Sequence, residues 1–209
     1  MIDVYIAKLP ENELNEPLSC AERQIDIDKI SNERVRRERY YVWRLLEYAI
    51  KNSLGADASR LYFTKGENKR WFCKDVEFSL SHSDNVVAVA IFNPCNNAEK
   101  QLVGVDIEKI SIKNVEKMAN FVLTPSERNS FEGVNNAERE EWLIRRWCEK
   151  EAIFKSLDES AFAPKKIETS ETFCNSRKIE ICGKKYIFAV AAKKADEIRI
   201  FNDMNCLEI

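Results

Sequence analysis

Residues 78–92, Phe-Ser-Leu-Ser-His-Ser-Asp-Asn-Val-Val-Ala-Val-Ala-Ile-Phe, decide the fold. They read as two strands around Ser83-Asp84-Asn85, a cluster of short polar residues that turns a chain readily. The second arm, Val86–Phe92, is apolar on both faces, which predicts a strand buried inside a sheet. A related stretch returns late in the chain as Lys-Lys-Tyr-Ile-Phe-Ala-Val-Ala-Ala-Lys-Lys, residues 184–194. Each apolar strand stands late in its own half, and each half carries one long helical pattern.

In the first half Val42, Leu45, Leu46, Ala49, Ile50 and Leu54 recur at spacings of three and four between Glu33 and Leu54, and Gly55 supplies a stop. In the second, a helix is expected from Ala137 to Leu157 with Leu143, Trp147, Phe154 and Leu157 as its core stripe. The expectation is an α+β fold of two pseudo-symmetric halves, each a small, mainly antiparallel sheet packed on a long helix. The polar break Asn-Pro-Cys-Asn-Asn-Ala-Glu-Lys-Gln, residues 93–101, separates them, giving an N-terminal half over 1–97 and a C-terminal half over 98–209.

Further strands are expected at residues 2–7, 61–63 and 102–108, with a polar stretch from Pro10 to Ser19 after the first. Helices are expected at 114–122 and 125–132. The second opens Thr124-Pro125-Ser126-Glu127, a capping box with proline at the first helical position. Alternation at Lys178–Ile181, Tyr186–Val190 and Ile198–Phe201 predicts three antiparallel strands.

The 209 residues are 44% hydrophobic and 33% charged, an ordinary globular composition. A net charge of -2 argues against a basic nucleic-acid binder. No segment approaches the roughly 20 apolar residues of a membrane helix. The start, Met1 to Glu13, has neither a basic leader nor a small-residue cleavage site, so a cytoplasmic protein is expected. The seven cysteines show no CxxC spacing, so reduced thiols are expected in place of zinc or a disulfide framework.

Asp106 and Glu108 lie two apart on an expected strand, so both project from one face with Cα atoms roughly 7 Å apart. That spacing suits a shared small cation, and hard oxygen ligands suit magnesium. It equally describes a solvated strand face. Gly104, just upstream, offers room for a ligand to approach. Glu151 and Lys155, four apart on the long helix, share a face beside Trp147. As a plain surface pair they would contribute about 0.3–0.5 kcal/mol. His82 is the single histidine, and no nucleophile-elbow sequence accompanies it. It reads as a structural residue or a phosphate contact. Arg34, Arg36, Arg37 and Arg39 open the first long helix as a solvated face or a grip for a phosphomonoester. Lys65, Lys69 and Arg70 form a second basic cluster.

Together these segments resemble the Sfp-like 4'-phosphopantetheinyl transferases. Residues 78–83, FSLSHS, are similar to that family's F-x-(I/L)-S-H-S segment, and 103–110, VGVDIEKI, to its (V/I)-G-(I/V)-D-(I/L)-E-x segment. Residues 147–155, WCEKEAIFK, match its W-(S/T/C)-x-K-E-(A/S)-x-x-K helix, and 121–127, FVLTPSE, resemble its F-(F/L)-(T/S)-x-x-E more loosely. The match is clear over 78–155 and looser over about 34–190.

The resemblance implies two similar halves with the active site at their interface and coenzyme A held there as co-substrate. It implies Mg2+ on Asp106, Glu108 and Glu151, and His82 and Lys155 on the phosphates, with Ser81 nearby. Lys69 falls where the family often has Gly-Lys-Pro, but here the triplet is Asn68-Lys69-Arg70. Arg44, Arg34 and Arg37 are candidates for the 3'-phosphate. The implied reaction moves the 4'-phosphopantetheine arm of coenzyme A to a serine of an apo acyl or peptidyl carrier protein and releases adenosine 3',5'-bisphosphate. Glu151 is the first candidate base and Glu127 the second, with the capping box as the competing role of Glu127. A monomer is expected. Two other readings use the same residues: a magnesium-dependent phosphohydrolase, and a non-catalytic coenzyme A-binding module.

Overall fold

The computed structural model describes residues 1–11, 16–66, 70–94, 101–157, 161–170, 172–194 and 197–202. In chain order the elements are β1 (Ile2–Lys8), α1 (Ala21–Asp28), α2 (Glu33–Leu54), β2 (Phe63–Lys65), β3 (Trp71–Cys73), β4 (Phe78–Ser83) and β5 (Val86–Phe92). They continue with β6 (Val103–Lys109), α3 (Val115–Val122), α4 (Pro125–Glu132), α5 (Arg139–Ser156), β7 (Cys174–Ile181), β8 (Lys184–Ala192) and β9 (Ile198–Phe201). They form two compact units: Met1–Gln101 with Asp196–Ile209, and Leu102–Ala195.

The first unit holds a four-stranded sheet in the order β4-β5-β1-β9. The β4–β5 hairpin turns on Asp84 and Asn85, both at positive φ (46° and 67°), the conformation that two-residue hairpins require and that Asp and Asn tolerate. That turn sets the register Ser83↔Val86 through Phe78↔Ile91, so Val87, Val89 and Ile91 all point into one core. α2 supplies the other side of it with Trp43, Leu45, Leu46, Ala49 and Ile50, all fully buried. Asn32 caps the helix by accepting the Val35 N–H, and Gly55, at φ 63°, ends it.

The last strand departs from expectation. β9 pairs in parallel with β1, Ile198 opposite Ile2 and Ile200 opposite Val4, so it belongs to the first unit and not to the C-terminal half. Alternation in sequence identifies a strand but not its neighbour. The lock on this pairing is a bidentate bond from Arg199 to the fully buried Asp3, both contacts at 2.7 Å. The strand expected at 61–63 is shifted, β2 starting at Phe63, while α1 and β3 have little sequence signal because Ala21–Asp28 carries few apolar residues and β3 is three residues long.

The second unit holds the antiparallel sheet β6-β8-β7. The two segments whose sequences echo each other, β5 and β8, are each an inner strand of their sheet. The likeness has limits: one sheet has four strands and a parallel pair, the other has three.

α5 lies against β6 and β8, and of the stripe expected from the sequence only Leu143 is fully buried. Its buried face is Leu143, Ile144, Cys148, Ala152, Ile153 and Ser156, while Trp147, Phe154 and Leu157 are half-buried. Trp147 and Phe154 meet Phe162, with ring centroids 5.4 and 5.1 Å away. Cys148, Ala152 and Ser156 form a seam of small side chains four apart, and Gly104 of β6 faces it. A β-carbon on Gly104 would lie 1.8 Å from the Ala152 carbonyl oxygen and 2.8 Å from the Ser156 nitrogen. The missing side chain therefore admits the helix backbone, not a ligand as first read.

Candidate active site

The close approach at Gly104 brings α5 and β6 together where both carry charge. Asp106, two residues on from Gly104 and 3% exposed, accepts a hydrogen bond from the Lys155 ammonium at Oδ1, 2.7 Å away. The same ammonium donates to the Val105 carbonyl at 3.2 Å and stands 3.7 Å from Glu151 Oε2. One lysine thus bridges two carboxylates on two different elements. Burial disfavours its charge, but Asp106 and Glu151 outweigh that, and the Lys155 pKa is raised. Glu151 is raised as well, first by burial and further by the nearby Asp106 charge, against the pull of Lys155. It is therefore a more basic carboxylate than an exposed glutamate. Glu108, on the same face of β6, accepts from the Trp147 indole N–H at 3.4 Å. Cys148 is wholly buried beneath this group, donates to the Ile187 carbonyl, and has its pKa pushed well up by burial.

His82 lies in the first unit, one residue before the Ser83–Val86 turn. Its Nδ1 is 3.0 Å from Glu38 Oε2, a carboxylate 4% exposed on α2, while the imidazole itself is 30% exposed. The neighbouring Ser81 is buried and pairs with Ala88 across the hairpin. The arginines expected to act together have separate partners. Arg34 is exposed and 3.9 Å from Glu38. Arg37 donates to the Pro10 carbonyl and lines a polar cavity of about 380 Å³ with Gln24, Asp28, Arg36 and Tyr40. Arg44 is held by Glu16 at 2.8 Å and Glu47 at 3.1 Å. Lys65 is paired with Asp26, and Lys69 lies outside the described residues.

Glu127 is not part of the Asp106 group. Both halves of the capping box form: Thr124 accepts the Glu127 N–H, and the Glu127 carboxylate accepts the Thr124 N–H. The same carboxylate is 2.6 Å from Lys150, which is fully buried and also donates to the Pro164 carbonyl. Thr169 occupies its other oxygen at 3.2 Å. Lys150, inside the Trp147–Lys155 motif, was not singled out from sequence. Its signal was its position: three residues after Trp147, on the face of a helix that turns inward.

Magnesium is the metal the motif resemblance implies, and the donors here are oxygens of the right kind. Among the described residues no three His, Cys, Asp or Glu side chains converge on one point as a ready metal cage. Magnesium does not require one; it commonly takes one or two carboxylates and completes its shell with water and substrate phosphate. Asp106 and Glu151, both within ion-pair reach of a single ammonium, satisfy that smaller requirement.

Residues 102–203 match the model of the 4'-phosphopantetheinyl transferase superfamily, which bears out over that stretch the family resemblance carried by the motifs. A Haemophilus influenzae protein provisionally named a 4'-phosphopantetheinyl transferase is 29% identical over 115 residues. That alignment covers 55% of this chain and 46% of the relative, so the match spans less than half of the relative's length.

Proposed function

We propose that this protein transfers the 4'-phosphopantetheine arm of coenzyme A to a serine hydroxyl of an apo acyl or peptidyl carrier protein. The observation that carries the proposal is the Asp106–Lys155–Glu151 group, two carboxylates gathered on one ammonium inside the stretch that matches the superfamily.

In this reading Asp106 and Glu151 would hold magnesium, with Glu108 as a third oxygen donor. The metal, when bound, supplies positive charge to the pyrophosphate oxygens. Lys155 is already a cation at the same place and neutralises charge as the phosphorus–oxygen bond to the leaving group lengthens. His82 and Ser81 contact the phosphates from their own hairpin. The serine oxygen forms a bond to the phosphorus that bears the pantetheine arm, and adenosine 3',5'-bisphosphate departs. Glu151, beside the reacting phosphorus in this reading, takes the serine proton. Little covalent chemistry falls to the protein, so positioning and charge dominate.

The test is to incubate the chain with coenzyme A, magnesium and a panel of apo carriers, and to follow both carrier mass and nucleotide release. Carriers that gain the arm support the proposal. Nucleotide or phosphate released with no carrier present points to a phosphohydrolase, and binding without turnover points to a coenzyme A-binding module.

A further inference from the structure

Glu38 has no role in the reaction as described, yet it is the most deeply buried carboxylate of α2. It is an acid inside the run Arg34–Arg39, where a solvated position is the ordinary fate. Instead its side chain is 4% exposed. A carboxylate removed from water needs partners. Oε2 faces His82 Nδ1 at 3.0 Å, and Oε1 accepts the Asn85 N–H at 3.2 Å. Arg34 Nε is 3.9 Å from Oε1 and is largely exposed. Burial alone would raise the Glu38 pKa, but the His82 and Asn85 hydrogen bonds and the nearby cations bring it below the ordinary value, so the group is ionised.

The geometry has a chemical consequence. A carboxylate can only accept, so the ring nitrogen facing it must carry the hydrogen. Nδ1–H is then fixed on Glu38 whether the imidazole is neutral or protonated, and the ring plane is fixed with it. Nε2 is the ring nitrogen that Glu38 does not engage, on an imidazole that is 30% exposed. The elements on both sides are rigid: α2 is packed into the core, and the Asp84-Asn85 turn is held by the same carboxylate.

We propose that Glu38 is a positioning residue for His82, holding Nδ1–H so that Nε2 is presented to a phosphate oxygen of the ligand. The proposal rests on the reading that His82 contacts the phosphates of coenzyme A. Histidines that bind metals are oriented by carboxylates in the same way, and losing the partner there costs about 10- to 100-fold in affinity or activity.

The chain has one histidine, so the untagged protein labelled with 15N-histidine gives the spectrum of a single imidazole. In the wild type, Nδ1 should appear protonated and hydrogen-bonded, and coenzyme A with magnesium should shift Nε2 while leaving Nδ1 in place. Glu38→Gln keeps an oxygen for the Asn85 N–H but removes the charge. It should give a changed Nδ1 resonance and about 10- to 100-fold weaker coenzyme A binding by calorimetry. In a His82→Ala background the same substitution should cost nothing further, because the effect runs through the imidazole. A folded Glu38→Gln protein with an unchanged imidazole spectrum overturns the positioning role, as does an equal loss of binding in the His82→Ala background. An Nε2 that ignores coenzyme A, with the Nδ1 signature intact, overturns the phosphate contact itself and the role built on it.

Discussion

A β-carbon on Gly104 would collide with the carbonyl oxygen of Ala152, 1.8 Å away, so the backbone of α5 sits directly on β6 at this point. This contact places Lys155, one turn after Ala152, against Asp106, two residues after Gly104. Gly104→Ala should force the helix outward. The expected loss is about 3 kcal/mol or more, at the upper end for inserted bulk in a packed core. Urea unfolding of the two proteins measures it, and a difference below about 0.5 kcal/mol, the range of ordinary surface changes, would show that the helix can yield.

Lys150 and Glu127 form a buried pair that ties α5 to the start of α4. Lys150→Met leaves a carboxylate buried without its counter-charge and should cost about 3–5 kcal/mol. Adding Glu127→Gln should recover part of that loss. Transfer per folded molecule should survive in Glu127→Gln alone. A drop of about 100-fold in that variant would return Glu127 to the role of base.

Glu151→Gln keeps the shape of the side chain and removes its basicity. Loss of a general base costs about 100- to 10,000-fold, and the fall should appear in turnover more than in coenzyme A affinity. Single-turnover transfer and calorimetry separate the two. Equal losses in both would make Glu151 a binding group only.

Asp3 gives the fold a pH dependence. Burial would raise its pKa, but Arg199, Ser53 and Asn93 outweigh burial and lower it. A carboxyl with a depressed folded pKa contributes stability above its unfolded value of about 3.9 and loses it as pH falls through the folded value. Arg199→Gln should therefore be less stable than the wild type near neutral pH. The gap should close in acid below about pH 3.9. Thermal melts across that range check it, and a gap that does not change with pH would remove Asp3 as its source.

Much of this was legible in the chain because the signals were local. The periodicity of Val42 to Leu54, the Thr124–Glu127 capping box and the Asp84-Asn85 turn each specify their geometry within a few residues. What could not be read depended on partners far along the chain. The parallel seat of Ile198–Phe201 beside β1 needs the Asp3–Arg199 bond, across almost the whole sequence. The buried face of α5 was misjudged because Cys148, Ala152 and Ser156 are small, and small residues signal close approach only once the facing glycine is known. Among the site residues, Asp106, Glu151 and Lys155 come together. Glu127 and Arg44 are taken by other partners, Lys150 and Arg199 having been invisible as such from sequence.

The most direct measurement is the intact mass of apo carrier proteins after incubation with coenzyme A, magnesium and either the wild type or Asp106→Asn. The amide is the right test because Asp106→Ala would empty the buried space around the Lys155 ammonium. The proposal predicts that at least one carrier gains the phosphopantetheine arm with the wild type and does not with a folded Asp106→Asn protein. Transfer by Asp106→Asn at the wild-type rate, or no gain on any carrier with folded wild type, would contradict it.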